Sequence, residues 1–189
     1  MMWPNVISSG NNPPEDINVV IEIPKGSNIK YELNSTDGFL YVDRILSVEM
    51  VYPLNYGFIP RTIENSEIDI LNKDSLDVFV IGADPFYPKS VINCIPMGVI
   101  FTKDQDGIDS KIIAKPSKSY QTIPSELIFD DFDQGVNLPI LKKLIHFIEH
   151  HKDFEENKFV KINEIGNKEK AKSVILKGIK NYDLNGHIE

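Results

Sequence analysis

Cys94 is the only cysteine in the 189-residue chain, so no intrachain disulfide framework exists and the sequence does not read as a secreted one. Long apolar runs are missing too. The longest mostly apolar stretch, 91–101, contains Asn93 and Pro96 and is far too short to span a bilayer. The lead-in, residues 1–14, lacks the basic head and apolar core of a signal peptide. Positive charge is not in surplus: 28 acidic side chains stand against 20 basic ones, for a net charge of −8. That balance argues against a general nucleic-acid or anionic-membrane binder. The chain also has no Gly-rich phosphate loop of the Walker type, no dinucleotide fingerprint, no zinc spacing, no EF-hand pattern and no internal repeat. These absences lead to the expectation of a cytoplasmic protein with neither a membrane nor a nucleic-acid partner.

At roughly 150 residues per domain, the length predicts a single domain over 1–189. A chain of this size buries about 70% of its unfolded surface and needs no staple. Strands rich in β-branched residues are predicted at 18–23, 30–33, 39–44, 77–81, 91–101 and 111–114, punctuated by Gly26, Gly38, Gly57, Gly82 and Gly107. In the last third the period changes. Leu141, Leu144, Ile145 and Ile148 fall at helical spacing, with Asn137 as N-cap and Pro139 in the first turn. A second helix is predicted from Asn167, with Ala171, Val174, Ile175 and Ile179 on one face. The expected architecture is mainly β with α, a small barrel carrying two C-terminal helices.

The acids cluster. Six of them, with one lysine, lie between Glu64 and Asp84, and Asp104, Asp106 and Asp109 form a second knot. Carboxylates at loop–strand junctions suit hard divalent ions; the plainer reading is a solvated acidic loop. Single charges also interrupt apolar strands: Glu22 opposes Val19, Ile21 and Ile23, while Lys30 and Glu32 share one face. They either decorate a solvent-facing sheet or line a barrel mouth, and periodicity does not choose between the two. Cys94 reads as a packing residue, and His146 with His150 as a solvated helix face rather than a metal pair.

Seven blocks in order carry a resemblance: Val19-Val-Ile-Glu-Ile-Pro-Lys-Gly-Ser27, Ile29-Lys-Tyr-Glu32, Val42-Asp-Arg44, Tyr52-Pro-Leu-Asn-Tyr-Gly-Phe-Ile-Pro60, Asp74-Ser-Leu-Asp-Val78, Asp104-Gln-Asp-Gly-Ile-Asp-Ser-Lys111 and His146-Phe-Ile-Glu-His-His-Lys-Asp153. Nearly the whole chain resembles the soluble inorganic pyrophosphatases of family I in their shorter prokaryotic form. The resemblance implies an OB-like five-stranded barrel with flanking helices, usually assembled as a homohexamer. It also implies Mg²⁺-dependent hydrolysis of pyrophosphate to two phosphates, with Mn²⁺ as another possible ion.

Position by position, Asp77 and Asp109 match ligands of the metal pair that holds the attacking water. Asp104 with Asp109 matches a further metal site, and Glu22 a more peripheral metal contact. Asp74 matches the base. Lys30, Arg44, Tyr56, Lys111 and Lys152 match positions contacting phosphate oxygens, and Glu32 a supporting position.

The chain departs from the family at three points. Where the family motif runs Asp-x-Asp-Pro-x-Asp, this chain has Asn72-Lys-Asp-Ser-Leu-Asp77. Asn72 still offers an oxygen to a metal, but without charge, and Lys73 adds a positive charge beside it. The stretch between Gly57 and Asn72 is longer than usual and brings Glu64, Glu67 and Asp69, one of which could replace the missing carboxylate; the other reading is a surface loop that merely grew. His151 stands at a phosphate-contacting tyrosine position. The resemblance therefore implies an active diphosphatase, and the departures raise one alternative: a relative that binds metal or pyrophosphate without turnover.

Overall fold

The computed structural model describes residues 6–64, 74–105, 107–117 and 139–185. Among them run β1 (Ile17–Ile23), β2 (Ile29–Leu33), β3 (Leu40–Ile45), β4 (Asn55–Phe58), β5 (Asp77–Val80), β6 (Val91–Asp104), β7 (Ile108–Pro116), α1 (Pro139–His150), β8 (Val160–Gly166) and α2 (Lys168–Asn185). The order β1–β4–β5–β7–β6 closes on itself because β6 also pairs with β1. This ring of five strands, with two C-terminal helices, is the architecture expected from the sequence. β8 adds to β6, while β2 and β3 form a separate hairpin.

β6 makes the closure possible. Its first residues pair with β1 and its last with β8, while β7 runs along its length. A bulge between Pro96 and Gly98 bends it between these partners, and there the missing proline N–H breaks no regular ladder. β4 presses closely on β1: a Cβ at Gly57 would lie 1.9 Å from the Val20 carbonyl oxygen, so only glycine fits.

The ring strands bury both faces. Phe79, Ile100 and Ile113 pack with Leu141, Leu144, Phe147 and Ile148 of α1, while Val78, Val80, Val99 and Ile112 pack with Ala171 and Ile175 of α2. Burial on both sides removes the alternation that marks a half-exposed strand. That is one reason β4, buried at all four positions, escaped the sequence reading. β8 escaped for the opposite reason: VKINEIG carries exposed polar residues and is a strand because β6 offers it an edge. α2 begins where the sequence places it, and Asn167 caps it, its side-chain oxygen accepting the Lys170 N–H at 3.1 Å. Asn137 lies outside the described residues. Cys94 is fully buried, as a packing residue should be. Among the described residues no helix is long and apolar enough to cross a membrane.

Candidate active site

Parallel pairing of β5 with β7 sets Asp77 opposite Lys111. Because side chains alternate along a strand, Asp77 shares a face with Phe79, and Asp109 and Lys111 share one with Ile113. Phe79 and Ile113 belong to the apolar layer under α1, so the polar residues stand where that layer ends. There the Lys111 ammonium bridges two carboxylates, pairing with Asp77 Oδ2 and, at 2.5 Å, with Asp109 Oδ2. The Tyr56 hydroxyl donates to Asp77 Oδ2 at 2.5 Å, and Lys111 Nζ donates to the Tyr56 oxygen at 3.3 Å. Asp77 and Asp109 are thus half-buried and tied to a cation, unlike acids on a solvated loop.

Burial raises the Asp77 carboxyl above its ordinary pKa, and Lys111 opposes that rise. Burial works against the Lys111 charge, but Asp109 and Asp77 together hold it well above the usual lysine range. Glu22 is pushed up to about 8, first by burial; the Leu33 N–H, donated to it at 2.8 Å, pulls the other way, and Asp77 and Glu32 add repulsion. Burial, followed by repulsion from Asp109, pushes Glu64 to about 8 as well. Burial drives the Tyr56 phenol far up.

Asp77 and Asp109 thus pair with one ammonium while Glu64 stands beside Asp109 and Glu22 feels Asp77, so carboxyls outnumber the cation at the core of the cluster. A buried surplus of negative charge costs free energy unless a proton or cation offsets it. Oxygen donors of this kind fit a hard divalent ion. Among the described residues no three His, Cys, Asp or Glu side chains are gathered into a ready-made cage, because Lys111 stands between Asp77 and Asp109.

Glu64 joins this group from a loop. Its Oε1 accepts the Ser110 N–H of β7, 46 residues away in sequence, placing its charge next to Asp109. The Glu64 N–H donates to the Asp74 carbonyl at 3.0 Å, and the Leu76 N–H to the Thr62 hydroxyl at 2.9 Å. Chain entering and leaving the longer stretch is pinned together by these bonds. Asn72, Glu67 and Asp69 lie outside the described residues. Asp74 is exposed, three residues before Asp77.

The other cations approach from two sides. Lys152 Nζ donates to Asp104 Oδ2 at 3.1 Å, both side chains being largely buried. On the hairpin, Lys30 and Arg44 are register partners. Lys30 pairs with Glu32 at 2.5 Å, which bears out their shared face. Arg44 Nη1 donates to Asp43 Oδ2 at 2.9 Å.

The buried Tyr52 links these groups. Its phenol is pushed up by burial and also feels the charges of Lys111, Arg44, Asp77 and Glu22. Its ring continues into an aromatic floor, 5.6 Å from Tyr56 and 4.8 Å from Phe147 between centroids. The sequence reading quoted Tyr52 only as part of a block; nothing in its spacing revealed this position.

His151 stacks on Phe147 with centroids 5.1 Å apart. Its Nδ1 lies 3.1 Å from the Phe147 carbonyl and 3.0 Å from that of Ile148. Carbonyls only accept, so Nδ1 carries the hydrogen. Burial holds the ring to a pKa of about 4, neutral at ordinary pH. Neutral His151 has therefore spent its donor on the backbone and presents a bare Nε2. His146 and His150 lie ring against ring at 4.4 Å, and His150 Nδ1 is 2.8 Å from Asp153 on the helix surface.

Comparisons with known proteins place the chain in a family. Residues 19–183 match the family model described as inorganic pyrophosphatase. The inorganic pyrophosphatase of Aquifex pyrophilus is 43% identical over 177 residues, covering 94% of this chain and 95% of that protein. That of Saccharolobus solfataricus is 43% identical over 175 residues, covering 92% and 95%. Among solved structures, the inorganic pyrophosphatase of Helicobacter pylori superposes with a TM-score of 0.79 at 39% identity, covering 89% of this chain and 94% of that one.

Proposed function

This chain belongs to the inorganic pyrophosphatase family, hydrolases that act on diphosphate with a divalent metal, and from that premise we propose that the Asp77–Asp109–Lys111 cluster is its catalytic centre and Mg²⁺ its ion. The observation that carries this reading is the pairing of Asp77 and Asp109 with one ammonium where β5 and β7 meet, with the buried carboxyls of Glu64 and Glu22 close enough to feel Asp109 and Asp77. Mn²⁺ is the natural substitute, being equally suited to carboxylate oxygens.

Asp77 and Asp109 would hold two ions, Asp104 with Asp109 a further one and Glu22 a more peripheral one, and Asn72 would offer an uncharged oxygen. When bound, the metal neutralises the pyrophosphate charge and lowers the pKa of water toward 7. Asp74, exposed three residues before Asp77, accepts the proton of the attacking water at its carboxylate. The water oxygen bonds to one phosphorus as the bridging P–O bond breaks, and the departing oxygen leaves with phosphate. Lys30, Lys111, Lys152 and the Tyr56 hydroxyl donate to phosphate oxygens as charge builds there, Arg44 binds phosphate oxygens throughout, and Glu32 orients Lys30 at 2.5 Å. Protonated His151 joins them; neutral His151 does not donate.

The test is phosphate release from pyrophosphate by the purified chain, titrated with Mg²⁺ and then Mn²⁺, beside Asp74→Asn. Turnover in the wild type and a loss on the order of 10²- to 10⁴-fold in the variant are expected. Folded wild-type protein that binds pyrophosphate without turnover would overturn the catalytic reading in favour of a binding subunit.

The same reading includes a cytoplasmic location, one domain over 1–189 and a homohexamer. Exposed Phe39, Tyr41, Val42 and Ile45 on the hairpin offer apolar surface that self-association would cover, and light scattering in solution would measure the assembly.

A further inference from the structure

The hairpin that carries Lys30 and Arg44 forms no backbone ladder with the ring, since β2 and β3 pair only with each other among the described strands. The sheet therefore does not set where Arg44 stands relative to Asp77 and Lys111. Two carboxylates from outside the hairpin reach it instead. Glu22 of β1 accepts the Leu33 N–H at 2.8 Å, at the far end. At the Arg44 end the partner is Glu155, from the turn between α1 and β8.

Glu155 Oε1 lies 3.0 Å from Arg44 Nε, and only 13% of the Glu155 side chain is exposed. Both atoms are shielded from water, and their line-up falls outside hydrogen-bond geometry, so charge rather than an aligned bond holds the pair. The same turn presents Lys152 to Asp104, and the Glu155 N–H donates to the Lys152 carbonyl at 2.9 Å. Glu155 Oε2 is steadied by Lys158 at 3.2 Å. With Nε facing Glu155 and Nη1 bonded to Asp43, two of the three guanidinium nitrogens are held, from different sides of the group. Nη2 is left to meet a phosphate oxygen, the planar, directed recognition that arginine provides and lysine does not.

We propose that Glu155 is the positioning residue for Arg44: by pinning Nε it aims Nη2 at the substrate and sets the affinity for phosphate groups, leaving the chemical step and the metal to other residues. The proposal rests on the reading that Arg44 binds phosphate.

The experiment compares Glu155→Gln, Arg44→Lys and the double variant at saturating Mg²⁺, with calorimetric binding of inorganic phosphate as a second readout. In Glu155→Gln, KM for pyrophosphate and the phosphate Kd are expected to rise about tenfold, with kcat within about twofold of wild type. Arg44→Lys is expected to raise KM as well, and adding Glu155→Gln to it is expected to change KM no further, because the two residues act as a unit. Glu155→Asp, which keeps the charge, is expected to recover most of the lost affinity. Unchanged KM in Glu155→Gln, additive losses in the double variant, or a fall in kcat and melting temperature with KM intact would each overturn the proposal. If Arg44→Lys itself leaves KM and phosphate binding unchanged, the phosphate-binding reading of Arg44 fails; if Arg44→Lys raises KM and Glu155→Gln does not, only the positioning role fails.

Discussion

Asp77 and Lys111 face each other across the parallel pair of β5 and β7, and the same ammonium holds Asp109 two residues back along β7. One cation thus keeps two carboxylates together at the end of an apolar layer. The arrangement is electrostatically incomplete: two carboxylates share one ammonium, and burial pushes neighbouring Glu22 and Glu64 up to about 8, so each keeps a proton until a cation offsets its charge.

Removing the ammonium exposes that imbalance. Lys111→Met is expected to destabilise the metal-free protein by about 2 kcal/mol, below the roughly 3–5 kcal/mol of a fully buried pair. The discount follows from the 26% and 33% side-chain exposure of Asp77 and Asp109. Urea denaturation in chelator checks the loss, and saturating Mg²⁺ is expected to restore part of it. Turnover is expected to fall on the order of 10²-fold, as for a lost donor to a developing oxyanion.

Glu64→Gln separates charge from structure at the loop. The amide oxygen still accepts the Ser110 N–H, but the negative charge is gone. If Glu64 supplies the carboxylate that Asn72 lacks, the Mg²⁺ concentration for half-maximal rate rises in Glu64→Gln and falls again when Asn72→Asp is added. Metal-free stability carries a second signature. A carboxyl raised to about 8 in the fold binds a proton there that the unfolded chain has released. Stability contributed by this group is thus present below the unfolded value near 4.5 and is lost as pH rises through about 8. Thermal melts in chelator across that window are expected to be flatter for the variant, and equal slopes would remove Glu64 from the account.

His151 has the opposite sign. Its folded pKa of about 4 lies below the ordinary 6.5, so between these values the unfolded chain binds the extra proton. Stability from this group is complete above 6.5 and drains away as pH falls toward 4. His151→Phe keeps a ring against Phe147 and removes the titration. Its melting temperature is expected to vary less over that window, and a slope identical to wild type would mean that the ring titrates freely in the fold.

Part of this protein was legible along the chain because it depends on neighbours in sequence. The strand at β1 shows in its β-branched residues, both helices in apolar spacing, and the start of α2 at Asn167. Blocks of residues located the candidate site, since acids before β5 and around the β6–β7 turn were already conspicuous. Tertiary structure decided the rest. β4 is a strand only because Gly57 lets it lie against β1, and β8 only because β6 continues past β1 with a free edge. Lys111 between Asp77 and Asp109, Glu64 on Ser110, Glu155 on Arg44 and the charges felt at Tyr52 have no signature in spacing. The physical reason is that secondary structure follows periodicity along the chain. Coulomb energy and desolvation depend on distance and burial in three dimensions, which the closed ring and its hairpin alone define.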